Sequence, residues 1–199
     1  MEVSAIPLKE GDILGEMEGQ IVKPAFRQTS IVMTAEALGD DSLLWRVRKA
    51  DSADADLLWR WANDADVRGN SFSPEPVLYP EHAPWVEGKL SSINSATYIV
   101  ELDNQAVGQV RYGKVGDTEA EIDISIAQTD RSLGYGVIAL ELTQALAMID
   151  LGVSLVTGVV IAVNKASCTM FLRAGFKEAG PRTINGHECR VFHSSSGDA

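Results

Sequence analysis

Hydrophobic and polar positions alternate most clearly over residues 119–127, where Ala120, Ile122, Ile124 and Ile126 share one parity and Glu119, Glu121, Asp123 and Ser125 the other. A period of two predicts a half-buried strand. Past a short polar turn, Val137, Ile138, Leu140, Leu142, Ala145, Leu146 and Ile149 recur at helical spacing, so a long helix is predicted next. Arg131, Gly134 and Gly136 then stand at its mouth.

The rest of the chain divides around that unit. Residues 43–49 alternate like a first strand; Asp51 or Ser52 can cap the helix after it, whose buried stripe is Leu57, Leu58, Trp61 and Ala62 and whose end falls near Asn63 and Asp64. A helix over 82–90 contains Pro84, which has no N–H to donate, so it is expected to start at Glu81 or later. Residues 98–102 and 106–112 read as a hairpin about 103–105. The β-branched run 155–163 fits a strand buried on both faces. A short helix over 166–174 closes at Gly175, and 176–179 with 188–192 form a last hairpin.

This places one domain at 42–193, a polar tail at 194–199 and an N-terminal extension at 1–41, the latter with a short helical patch at 30–38. The extension carries no evident chemistry; packing on the domain is its expected role and a homodimer contact the alternative.

With 199 residues, 45 % apolar and 23 % charged, the chain is long enough to bury a real core. A formal net charge of −11 argues against a nucleic-acid partner, since phosphate backbones are bound by clustered Lys and Arg. Any polyanionic ligand must instead be held by local amides and a few cations against an unfavourable global field. Cys168 and Cys189 make no disulfide framework and share no metal spacing with His82, His187 or His193, so no metal is expected. No apolar stretch approaches membrane-spanning length, and a cytoplasmic protein without a membrane partner is expected.

A helix mouth exposes unpaired N–H groups and the positive end of the helix dipole, and glycines let a phosphate come close to that backbone. Gly134 to Ala139 also spells Gly-x-Gly-x-x-Ala, the dinucleotide fingerprint. That motif wants a glycine directly after the strand and an acidic residue about 20 residues on. Here Gly134 follows Ala127 by seven positions and the next apolar run ends in Asn164.

Strand, loop, Arg131-x-x-Gly134-x-Gly136 and helix together resemble the coenzyme A pyrophosphate loop of the GCN5-related N-acetyltransferase (GNAT) superfamily. Asn164-Lys-Ala-Ser167 and Phe171-Leu-Arg-Ala-Gly175-Phe176 are similar to a second block of that family, and the element order over 43–192 matches. The resemblance implies an α/β fold with a mixed central sheet of six to seven strands and about four helices, binding acetyl-CoA as co-substrate. It implies that the backbone of Arg131, Ser132, Leu133, Gly134, Tyr135, Gly136 and Val137 holds pyrophosphate. Backbone groups at Ser125 and Ile126 would hold pantetheine, with Asn164, Ser167 and Phe171 nearby. Phe171 departs from the family, where many members carry a Tyr that protonates the leaving sulfur.

Acyl transfer to an amine needs a proton acceptor more than an acid, because a thiol with a pKa near 8.5 leaves readily as its anion. Asp123, Glu121 and Ser125 lie on the polar parity of the central strand and are the catalytic candidates; Glu119 shares that parity. A narrower resemblance, carried by Trp61-x-Asn63-Asp64, Val67-Arg68, Asn70-Ser71-Phe72 and His82-x-x-Trp85, is to acetyltransferases of UDP-linked 4-amino sugars in pseudaminic acid biosynthesis. It implies a small-molecule amine acceptor held by Asn63, Arg68, Asn70, His82 and Trp85. Protein N-termini, aminoglycosides and a non-catalytic acyl-CoA-binding module are the rival readings.

Overall fold

The structure, a computed structural model, describes residues 31–34 and 44–197. Eight strands form one sheet: β1 (Ile31–Thr34), β2 (Leu44–Lys49), β3 (Ser95–Leu102), β4 (Gln105–Lys114), β5 (Glu119–Ile126), β6 (Leu155–Ile161), β7 (Lys177–Ile184) and β8 (His187–Ser195). Their order is β1-β2-β3-β4-β5-β6-β8-β7. All neighbours are antiparallel except β5 and β6. The helices are α1 (Ala55–Ala62), α2 (Ala65–Gly69), α3 (Tyr79–Leu90), α4 (Tyr135–Leu151) and α5 (Lys165–Arg173).

The expected α/β architecture is therefore present, with seven strands between residues 44 and 195 and β1 as an added edge. A helical patch was the expectation at 30–38, yet Ile31–Thr34 pairs with β2 in register Ile31↔Val47 to Thr34↔Leu44. Its β-branched residues suit a strand, and an open sheet edge offers partners that an isolated short helix lacks. The remaining residues of the 1–41 extension lie outside the described residues. The tail expected from 194 also starts later, because Ser194 and Ser195 pair with Val156 and Leu155.

Strand β3 is buried on both faces and divides two cores. Tyr98 and Val100 face the main core under α4, which buries Ala139, Leu140, Thr143 and Ala147. Its polar groups are paired: Tyr98 Oη donates to Asp150 (2.6 Å), and Tyr112 Oη shares a 2.8 Å hydrogen bond with Thr143. Ile99 faces the other way, into a smaller core with Leu58, Trp61 and Val86 from α1 and α3. Fully burying such side chains is worth about 1.5–3 kcal/mol each, so these few anchors suffice to seat the helix pair on the sheet.

Asp51 does cap the segment after β2, accepting from Ala53 N–H (2.8 Å), while Asp54 accepts from Asp51 N–H (2.9 Å). Asp54 also receives both Arg48 Nη groups at 2.7 Å, and Arg48 Nε donates to Glu101 at 2.8 Å. The start of α1 is thereby tied to β2 and β3. Helix α3 starts earlier than expected, at Tyr79, because Pro80 occupies the first turn where a missing N–H is harmless. Pro84 then lies inside the helix and forfeits only the bond to residue 80.

Candidate active site

Pairing between the parallel strands β5 and β6 ends at Ile122↔Gly158, while β6 continues along β8 as far as Ile161↔Cys189. The two strands separate beyond that point and leave the C-terminal edge of β5 unpaired. A cleft of ≈ 760 Å³ opens there, lined by Ile122, Ile124, Ser125 and Ile126 on one side and Val159 to Ile161 on the other. Its far end is walled by Arg131, Ser132, Gly134, Tyr135, Gly136 and Val137, and by Asn164, Ser167 and Phe171.

The loop before α4 has the backbone an anion needs. Ser132 (φ 64°) and Gly134 (φ 86°) are both left-handed, and alternation of left- and right-handed residues makes a concave nest of N–H groups. Helix α4 has no side-chain cap and no acid in its first turn, so nothing competes for its positive end. A Cβ on Gly136 would lie 2.4 Å from Met170 Sδ, so any larger residue here would have to displace the flexible Met170 side chain of α5. Lys165 and Arg173 add charge along the same cleft. These observations fit a polyanionic coenzyme with an extended arm.

A second cavity of ≈ 490 Å³ lies between the sheet and α1–α3, and Ser125 and Val67 line both spaces. Its walls carry Arg68, Lys89 and Arg111, opposed by Glu81 and Asp123. Asp123 is ion-paired with Arg111, whose guanidinium lies 4.6 Å from the Trp85 ring centroid. His82 is 5 % exposed and its Nδ1 has no hydrogen-bond partner. Burial first, and then the Arg111 and Arg68 charges, push the imidazole below its usual value. The cavity therefore has a positive local field in a protein of strongly negative net charge. Among the described residues no cluster of His, Cys, Asp or Glu could hold a metal ion, and no helix is long and apolar enough to cross a membrane.

The sequence matches the acetyltransferase (GNAT) domain family over residues 45–177, well over half of the chain. The chain belongs to the GNAT acetyltransferase family. Its fold recurs in an aminoglycoside acetyltransferase, AAC(6')-Ib, with coenzyme A (TM-score 0.66, 14 % identity, 76 % of this chain and 95 % of that one). It recurs in a spermidine N-acetyltransferase from Vibrio cholerae with coenzyme A and spermine (0.68, 16 %, 77 % and 96 %). A third case is RimL, a ribosomal L7/L12 α-N-protein acetyltransferase with coenzyme A (0.67, 15 %, 78 % and 96 %). No curated protein matches the sequence. The protein is thus an acetyl-CoA-dependent GNAT N-acetyltransferase.

Within this GNAT domain several expected site residues stand elsewhere than expected. Asn63 lines neither space: its amide donates to the carbonyls of Trp59 and Val77 and accepts from Val77 N–H, stapling the loop after α2. Asn70 lines the ≈ 760 Å³ cleft and not the second cavity, and its amide bonds the Asp66 carbonyl. Glu121 lines neither and has Arg182 3.9 Å away, while Glu119 accepts from Thr157 Oγ1 at 2.6 Å. Leu133 is exposed outside the cleft. The Ile126 carbonyl accepts from Arg131 Nε at 3.1 Å, which uses one of its two lone pairs. Asn164 Oδ1 caps α5 through Ser167 N–H (3.1 Å), and Phe171 is buried, stacked 5.4 Å from Phe192.

Arg111, Gln109, Thr97 and Lys89 also line the second cavity, and sequence reasoning had not singled them out. A signal existed. Gln109 and Arg111 are polar at alternate positions of an otherwise apolar hairpin strand, which marks a sheet face that meets something other than core.

Proposed function

We propose that the protein acetylates a primary amine on an acceptor that also carries negative charge, a nucleotide-linked amino sugar being the class that fits best. The observation that carries this reading is the charge of the acceptor cavity. Polyamines and aminoglycosides are polycations, and a site built to take them needs an excess of carboxylates. Here Arg68, Lys89 and Arg111 oppose Glu81 and an Asp123 already paired with Arg111. Trp85, 42 % exposed beneath Arg111 and with Lys89 Nζ 5.8 Å from its centroid, offers a flat face for a base or sugar ring.

His82 is the proton acceptor in this reading. It is neutral near pH 7, buried, and unpaired at Nδ1, whereas the carboxylate of Asp123 is already occupied by Arg111. A sugar amine flanked by electron-withdrawing oxygens is more often neutral than a Lys amine with its pKa near 10.4, so a modest base is adequate. Acetyl-CoA supplies the activated acyl group. Ser125, 5 % exposed at the junction of the two spaces, is placed to touch both substrates.

The test is release of coenzyme A with a UDP-linked 4-amino-4,6-dideoxy sugar, the free amino sugar, spermidine, kanamycin and an N-terminal peptide as acceptors. The UDP sugar is expected to turn over fastest. Lys89→Gln should raise its KM about tenfold and leave the free sugar unaffected, as expected for a phosphate contact made by a point charge. Faster turnover of spermidine, kanamycin or the peptide would overturn the reading.

A further inference from the structure

Arg131 opens the glycine loop, and each of its three guanidinium nitrogens donates one hydrogen bond to another part of the protein. Nε donates to the Ile126 carbonyl (3.1 Å), Nη2 to Asp64 (2.6 Å) and Nη1 to Asp66 (2.7 Å). Asp64 is also the cap of α2, accepting from the N–H groups of Asp66 (3.0 Å) and Val67 (3.1 Å) through the same oxygen. Helix α2 in turn carries Val67, which lines both spaces, and Arg68, which lines the acceptor cavity. One unbroken chain of charge-assisted hydrogen bonds therefore joins the end of β5, the glycine loop and the acceptor wall.

We propose that Arg131 is a positioning residue whose clamp on Asp64 and Asp66 couples the two substrates: a coenzyme seated in the glycine loop steadies α2 and so shapes the acceptor cavity. This rests on the coenzyme loop and holds for any amine acceptor. A helix of five residues is too short to be stable alone, so its order depends on what holds its ends. Asp64 is the inner half of the clamp, its side chain 15 % exposed against 72 % for Asp66. Ion pairs this near to solvent contribute little to global stability, so the clamp's effect is local. Coupling of this sort is reciprocal and ordinarily amounts to about 5- to 150-fold in affinity.

The alternative role for Arg131 is direct charge on the pyrophosphate, and the two roles predict opposite behaviour at Asp64. Hydrogen exchange of the amides of residues 65–70 is measured in the full chain with and without coenzyme A, alongside coenzyme A affinity by calorimetry. In the unaltered protein, coenzyme A is expected to slow that exchange. Arg131→Met and the double variant Asp64→Asn/Asp66→Asn should each abolish the slowing while changing coenzyme A affinity less than about threefold. With whichever amine is turned over, both should raise acceptor KM by at least fivefold and leave kcat within about twofold. A loss of coenzyme A affinity in Arg131→Met matched by a gain in the Asp variant would make Arg131 a phosphate ligand and overturn the proposal. So would coenzyme-induced slowing that is absent in the unaltered protein or persists in either variant.

Discussion

Arg111 and Asp123 are cross-strand neighbours in the β4–β5 register, and their side chains form an ion pair at the floor of the acceptor cavity. Opposite charges at directly paired positions of an antiparallel ladder attract one another, and here the pair also presses the guanidinium onto Trp85. Asp123 thus holds a cation in place. Asp123→Asn is expected to raise acceptor KM about tenfold while kcat stays within about threefold. Removal of a general base would instead cost roughly 10²- to 10⁴-fold in kcat. Steady-state rates over a range of acceptor concentrations distinguish the two.

Gly158 and Phe171 make the second prediction. A Cβ on Gly158 would stand 2.4 Å from Phe171 Cε1 and 2.5 Å from Cζ, inside a ring whose far sides are held by Phe176 and Phe192. The ring cannot withdraw, so Gly158→Ala should destabilise by about 1–3 kcal/mol in urea unfolding. Adding Phe171→Leu makes room, and the double variant should lose at least about 0.5 kcal/mol less than the sum of the singles. Strict additivity would mean that the strand shifts to admit the methyl group.

That glycine was not legible in the sequence, although most of the fold was. Alternation over 119–127 located β5 and apolar spacing after Gly136 located α4, although α4 does not divide cleanly into two faces and leaves Ile149 exposed. The loop before α4 was legible as well, because its glycines are visible in the sequence. The second cavity is lined by side chains of α1, α2, α3, β3, β4 and β5 brought together by packing, and no spacing rule links Arg68 to Arg111 or His82 to Gln109. Asn63 misled because an amide that staples a loop and one that holds a ligand look alike in sequence. The ion pairs of Arg131 were not legible either, as its two carboxylate partners lie more than sixty residues away.

Asp54 links α1 to the sheet, and its loss should be felt by the whole protein. Burial alone would push its carboxyl up, but the two Arg48 hydrogen bonds and the Asp51 N–H outweigh that and hold it below the ordinary 3.8. The folded protein thus releases this proton more readily than the unfolded chain. Its contribution is complete above about pH 3.8 and is lost as pH falls through the depressed folded value. Asp54→Asn removes that contribution and leaves Arg48 with Glu101 as its remaining carboxylate partner, which costs about 1–3 kcal/mol at neutral pH. Thermal unfolding should show the variant's deficit shrinking in acid. A deficit that stayed constant from pH 7 to pH 2 would rule out the ion pair as its cause.

His82 gives a pH dependence of the same sign in a higher pH window. Desolvation comes first among its causes, followed by Arg111 and Arg68, and all three favour the neutral imidazole, so the folded value lies below the ordinary 6.5. Above pH 6.5 folded and unfolded chains are both neutral at this position and it contributes no slope. Below 6.5 the unfolded chain takes up a proton that the folded protein refuses, so stability falls until the pH passes the folded value. Below that point the difference is constant. His82→Gln should therefore flatten the stability profile on the acid side of pH 6.5, measured as unfolding midpoint against pH. If His82 is also the proton acceptor, the same substitution should lower kcat by roughly 10²- to 10⁴-fold and remove the acid limb of the rate profile. Loss of the stability slope with a normal rate would keep the buried neutral imidazole and end its catalytic assignment. A slope that survived in His82→Gln would place the titrating group elsewhere.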